Sequence, residues 1–237
     1  MLELIRHGHG VGVVLADGSV LALGYIIGIG RNYAAHAHEQ GAEVPERPMV
    51  FTKSPASVCL SGDRIVIPTI CQDRAQVDFE GELAVVLGRA ARDVDESEAM
   101  GCVLGYCVAN DVSARWWQKK GSGGQFCRGK SFDTFCPLGP GVVEASEVGD
   151  PQALVLETRL NGEVMQRDTT GNMIFPVEYL VSELSRGATL PAGTVILTGT
   201  PSGVGMSRDP EIWLSDGDRV EVEISGIGML VNEVEEE

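Results

Sequence analysis

Lysine is scarce in this chain: four occur in 237 residues, at positions 53, 119, 120 and 130. Basic residues total 18 against 34 acidic ones, a formal charge of −16. A chain without a basic footprint is not built to hold nucleic acid or an anionic membrane surface. No apolar stretch approaches the roughly 20 residues of a membrane span. Met1-Leu2-Glu3-Leu4-Ile5-Arg6-His7 carries charge where a secretory leader needs an apolar core. The six cysteines (59, 71, 102, 107, 127 and 136) form no C-x-x-C pair and mostly sit inside apolar runs. They read as small buried hydrophobes rather than disulfides or zinc ligands, which points to a reducing cytoplasm. The tail Asn232-Glu233-Val234-Glu235-Glu236-Glu237 reads as a solvated acidic end.

What is present is strand-dominated. Apolar residues make up 43% and charged residues 22%, ordinary for a globular protein, and the length suits one substantial core with at most a small appendage. Val11 to Leu15 and Ser19 to Leu23 flank Ala16-Asp17-Gly18, a hairpin signal. Further strands are expected near 64–67, 82–87, 102–109, 154–160, 194–198 and 219–224. Asn161-Gly162 and Ser215-Asp216-Gly217-Asp218 mark two more hairpin turns. Helical periodicity is confined to short pieces, Tyr33 to Gln40, Ser97 to Met100, Val112 to Lys119 and Val177 to Ser185. The expected fold class is α+β, dominated by strands.

Three carboxylates carry the strongest chemical signal. Glu80 and Glu82 open the apolar run ending at Leu87, and Asp111 closes the run Cys102 to Ala109. Residues two apart in a strand share a face, so the two glutamates point the same way. Acids among hydrophobic strand residues are costly unless something positive compensates them. Hard Mg²⁺ or Mn²⁺, which prefers carboxylate oxygen, is the economical answer. Alternating glutamates on a solvated strand edge fit the Glu-x-Glu pattern equally well.

Two further patterns stand near these acids. In Asn32-Tyr33-Ala34-Ala35-His36-Ala37-His38-Glu39, His36 and Glu39 share a helix face. A carboxylate against an imidazole orients the ring as a base, while His38 faces away; an incidental helix pair is the alternative. If a helix starts at Asp111, then Asp111, Arg115 and Gln118 form one stripe suited to an oxo-acid. Lys130 follows in Arg128-Gly129-Lys130-Ser131, and Lys53 sits in another apolar-flanked motif. Gly28-Ile29-Gly30 lacks the third glycine of a dinucleotide loop, and Leu197 to Gly205 lacks the Gly-Lys-Ser/Thr ending of a phosphate loop. Thr200 in that glycine-rich turn offers a hydroxyl to a substrate carboxylate, or the turn is a tight connection and nothing more.

Taken in order, Gly30-Arg31-Asn32-Tyr33…His36…Glu39, Phe51-Thr52-Lys53, Glu80-Gly81-Glu82-Leu83, Asn110-Asp111-Val112-Ser113-Ala114-Arg115, Gly129-Lys130-Ser131-Phe132-Asp133 and Leu197-Thr198-Gly199-Thr200-Pro201 closely resemble the fumarylacetoacetate hydrolase superfamily. The similarity runs from about residue 28 to the end, leaving 1–27 as a small N-terminal β extension ahead of a catalytic domain, 28–237. The resemblance implies a mixed β-sandwich roll with short helices, a homodimer, and Mg²⁺ or Mn²⁺ held by Glu80, Glu82 and Asp111. It implies that His36 with Glu39 activates water, that Lys130 stabilises an oxyanion or enolate, and that Arg115, Gln118 and Thr200 hold a small 2-oxo acid. The expected reaction is hydrolysis of the C–C bond of a β-diketo acid of acylpyruvate or fumarylpyruvate type, giving pyruvate and a carboxylic acid. The alternatives are an oxaloacetate decarboxylase or tautomerase, an isomerase of the 2-hydroxyhepta-2,4-diene-1,7-dioate type, and a non-catalytic ion-binding β-sandwich. Departures cluster at the substrate mouth: Trp116, the glycine-rich stretch from Lys119 to Cys127, and Gly171-Asn172-Met173. There Arg47, Lys119, Lys120 and Arg128 suit a second carboxylate, whereas Trp116 and Trp117 suit an apolar tail.

Overall fold

The computed structural model describes all 237 residues, Met1 to Glu237. Its spine is a seven-stranded sheet in the spatial order Met49–Lys53, Tyr25–Gly30, Thr194–Leu197, Gly81–Leu87, Val103–Asn110, Cys136–Glu144 and Val58–Leu60. The central strand Gly81–Leu87 is buried along its whole length, so it reads as an unbroken apolar run with an acid near its start. Its side chains alternate between two cores. Leu83, Val85 and Leu87 join a large cluster with Leu156, Val222 and Leu230 of a five-stranded sheet. Ala84 and Val86 face the other way, against Cys107, Val195, Val11 and Val13. Val11 and Val13 belong to a small antiparallel sheet of Leu4–His7, Gly10–Val14 and Val20–Ala22. The fold is the strand-dominated α+β arrangement of mixed sheets with short helices that the sequence leads one to expect. No helix is long and apolar enough to cross a membrane.

Three local expectations change. Asp111 does not start a helix: Ser113–Ala114 form a two-residue strand against Val77–Asp78, and the helix is only Arg115–Gln118. Tertiary pairing of Ser113 and Ala114 outcompetes a helical pattern whose burial periodicity holds for just one turn. The turn Ser215 to Asp218 is real, with Asp218 accepting from the Ser215 N–H at 2.8 Å, but no strand precedes it, so it closes no hairpin. The acidic tail keeps Glu233, Glu236 and Glu237 exposed, as expected, but its backbone is a paired strand and not a loose end. Gly228–Glu236 pairs antiparallel with Arg219–Ile224 and parallel with Arg64–Ile67. Leu230, Asn232 and Val234 are buried there while Glu233 is exposed, a period of two hidden within the charge run. All six cysteines are free thiols, and every one except Cys127 is buried.

Candidate active site

The ends of the two central strands bring the three acids together. The Asp111 N–H donates to the Glu80 carbonyl at 2.8 Å, and the Glu80 N–H donates to Asn110 Oδ1 at 3.0 Å. This backbone clasp spans the ends of two antiparallel neighbours and leaves one carboxylate oxygen each of Glu80, Glu82 and Asp111 mutually within 4.8 Å. Gly81 between the glutamates is required by space, since a Cβ there would stand 2.1 Å from Thr158 Oγ1.

Cations surround two of the three acids and not the third. Lys130 Nζ donates to Glu80 Oε2 at 2.8 Å, to Ser113 Oγ at 2.7 Å and to Asp111. Lys53 Nζ bonds the other Asp111 oxygen. Arg115 donates to Glu80 Oε1 at 2.5 Å and grips Asp78 Oδ2 through Nε and Nη2 at 2.9 and 2.7 Å. Burial would raise the Glu80 carboxyl, but Lys130 and Arg115 outweigh it and hold it well below the usual carboxylate range. Burial would likewise lower the Lys130 ammonium, but Asp111 and Glu80 hold it above its ordinary range, so it acts as a fixed positive charge. Glu82 accepts only the Gly199 N–H, at 2.7 Å. Burial first, then Asp111 and Glu80, push it well above the usual range. A fully buried carboxylate that lacks a cation and faces two others is the chemistry a hard divalent ion satisfies, and oxygen-only donors suit Mg²⁺ or Mn²⁺. The residues fit such an ion.

The expected dyad sits on the helix Ala34–Glu39. His36 Nδ1 lies 2.6 Å from Glu39 Oε1, and Gln40 Nε2 lies 3.0 Å from His36 Nε2. Glu39 Oε2 also accepts the Gly203 N–H at 2.8 Å, so the helix is tied to the glycine-rich turn after Thr194–Leu197. Glu39 on Nδ1 and Gln40 on Nε2 fix the plane of the ring between them. His38 is exposed.

One cavity of about 260 Å³ collects these groups: Ile29, Gly30, Arg31, His36, Gln40, Phe51, Glu80, Glu82, Gln118, Lys119, Phe126, Lys130 and Thr200. Of the residues expected to hold substrate, Gln118 and Thr200 line it. Arg115 does not; its guanidinium is occupied by Asp78, Glu80 and the Gln118 side-chain oxygen at 3.0 Å. Asp111, its oxygens bonded by Lys53 and Lys130, is outside the lining. The two tryptophans face elsewhere, with Arg74 over the Trp116 ring at 4.7 Å and Arg128 over Trp117 at 4.6 Å. Of the four cations named for a distal carboxylate, Lys119 alone reaches the cavity, and Arg47, Lys120 and Arg128 do not.

Sequence reasoning missed several supports. Asp78 accepts from the Gly205 and Met206 N–H groups as well as from Arg115, joining the acid cluster to the glycine-rich turn. Its position two residues before Glu80 was the available signal. Asn32 donates to the Phe175 and Thr198 carbonyls at 3.0 and 2.7 Å and accepts the Phe175 N–H at 2.8 Å. That buried amide places the His36 helix, and nothing in the local sequence announces its distant partners.

Comparison with known proteins decides the family. The pattern of the fumarylacetoacetate (FAA) hydrolase C-terminal family matches residues 25–235. The chain belongs to this family. The oxaloacetate tautomerase YisK of Bacillus subtilis is 45% identical over 211 residues, covering 88% of this chain and 69% of that protein. A mitochondrial oxaloacetate tautomerase of Bos taurus is 44% identical over 209 residues, and the chain spans 66% of its length. Among solved structures, a fumarylpyruvate hydrolase from Pseudomonas aeruginosa in complex with Mn²⁺ and pyruvate superposes with a TM-score of 0.85 at 29% identity, covering 98% of this chain and 99% of that one. Relatives in this family are enzymes. The expectation of C–C hydrolysis is overturned: curated relatives at 44–45% identity are tautomerases of oxaloacetate, whereas the hydrolase shares only the fold and 29% of residues.

Proposed function

We propose that this chain interconverts the keto and enol forms of oxaloacetate or a close 2-oxo dicarboxylate. The observation that carries the reading is a single cavity shared by Glu80, Glu82 and a carboxylate-oriented imidazole, in a chain 44–45% identical to oxaloacetate tautomerases. Tautomerisation needs a proton moved between C3 and the carbonyl oxygen and no attacking water. Among the lining residues His36 is the group placed to carry it: Glu39 orients the ring and stabilises the imidazolium that forms when it takes the proton. Lys130, held protonated, supplies fixed positive charge where negative charge develops. Gln118 orients the 2-oxo acid; Thr200, whose hydroxyl donates to the Gly81 carbonyl and accepts from Gln166, shapes the wall beside it, and Arg115 works one step back, fixing Glu80 and Gln118. Glu80, Glu82 and Asp111 would hold Mg²⁺ or Mn²⁺, which when bound supplies Lewis-acid polarisation of the 2-oxo group.

The test is spectrophotometric decay of enol-oxaloacetate with the purified chain and Mn²⁺ or Mg²⁺. Acceleration over buffer and metal alone is expected. Carbon dioxide release at the same rate would assign decarboxylation instead, and no acceleration at all would end the reading.

A further inference from the structure

Two cations of the cavity take no part in the acid cluster. Arg31 and Lys119 both line it, and neither forms an ion pair. Lys119, on the exposed rim, has the Met206 thioether at 3.9 Å as the only hydrogen-bonding partner of its Nζ, and the Arg31 guanidinium has none. In a chain with 34 acidic and 18 basic residues, two cations on one cavity with no ion-pair partner are unusual. Their charges also oppose each other: burial first, then Arg115 and Arg31, push the Lys119 ammonium below its ordinary range. An anion between them would relieve that. Arg31 further stands at φ 57°, in the left-handed region that L side chains rarely adopt. Glycine would serve the turn without strain, so the backbone gives no reason for an arginine there.

We propose that Arg31 and Lys119 form an anion clamp for the far carboxylate of a 2-oxo dicarboxylate and set the preference for dianions over monoanions. The assignment rests on the 2-oxo-acid reading above, which puts the other end of the ligand at the acid cluster. The same cavity offers Ile29, Phe51 and Phe126 to the carbon skeleton between the two ends. Arg31 and Lys119 are thus binding residues, separate from the proton chemistry of His36.

The experiment compares oxaloacetate with 2-oxobutyrate, which has the same skeleton with a methyl in place of the far carboxylate. Both are titrated calorimetrically into the Mn²⁺-loaded chain. Wild type should bind the dianion at least about tenfold tighter, as expected for hydrogen bonds to charged groups. Arg31→Gly combined with Lys119→Gln should bring the ratio close to one with the 2-oxobutyrate affinity nearly unmoved, and Lys119→Arg should keep the preference. Arg31→Gly retains the left-handed turn, so the variant tests the side chain and not the backbone. No preference in wild type, a preference that survives in the double variant, or equal weakening of both ligands overturns the clamp. Failure of the tautomerase reading looks different: no enol–keto turnover by a wild-type chain whose calorimetric preference for the dianion is intact.

Discussion

The two large sheets use the same ion pairs to opposite ends. On the five-stranded sheet, Arg159 reaches Glu157 and Glu223, and Arg219 reaches Glu221 at 2.7 Å, all on a wet face. Such pairs are screened and contribute little. At the end of the seven-stranded sheet, Lys53, Lys130, Arg115, Asp78, Glu80, Glu82 and Asp111 are all buried. There desolvation is severe, every charge depends on its partner, and the one acid left without a cation becomes the place where a metal ion fits. Burial, not residue type, makes one set decorative and the other chemical.

The sharpest way to break the comparison is to remove a group that acts on substrate. His36→Ala should lower enol–keto turnover by roughly 10²–10⁴, the usual worth of a positioned general base, while calorimetric Mn²⁺ binding persists. Turnover within a fewfold of wild type would move the proton carrier elsewhere in the cavity. Next in size is Lys53→Met. Removing one partner of a buried pair costs about 3–5 kcal/mol, and Asp111 retains Lys130, so the lower end is expected in denaturant unfolding. A loss below 1 kcal/mol would mean that Lys53 is dispensable to the cluster.

Glu82→Gln sharpens the contrast from the other side. It removes a buried like charge, so the metal-free fold should be no less stable than wild type. The stabilisation by Mn²⁺, about 2.7 kcal/mol at a hundredfold excess over Kd, should vanish from thermal unfolding curves. A metal-induced shift as large as that of wild type would remove Glu82 from the ligand set. The smallest effect belongs to the wet face: Arg159→Ala should cost less than about 1 kcal/mol, and raising the salt concentration should shrink the difference. A larger, salt-insensitive loss would show that the two regions differ less than their burial suggests.

Local pattern determined much of this protein by itself. The apolar run of Gly81–Leu87, the turn residues at Asn161-Gly162, and the i,i+3 spacing of His36 and Glu39 are short-range facts, and the structure keeps all three. Tertiary structure decided the rest, because it turned on partners far away in sequence. A glutamate-rich tail became an inner strand, its alternate residues buried, once Arg64–Ile67 and Arg219–Ile224 flanked it. Arg115 was withdrawn from the cavity by Asp78, 37 residues earlier, and Arg31, part of a motif but given no role there, was brought to the same cavity as Lys119. Charge and spacing are written along the chain. Which charges lose their water, and which are left without a partner, depends on packing in three dimensions, and that sets where this protein's chemistry lies.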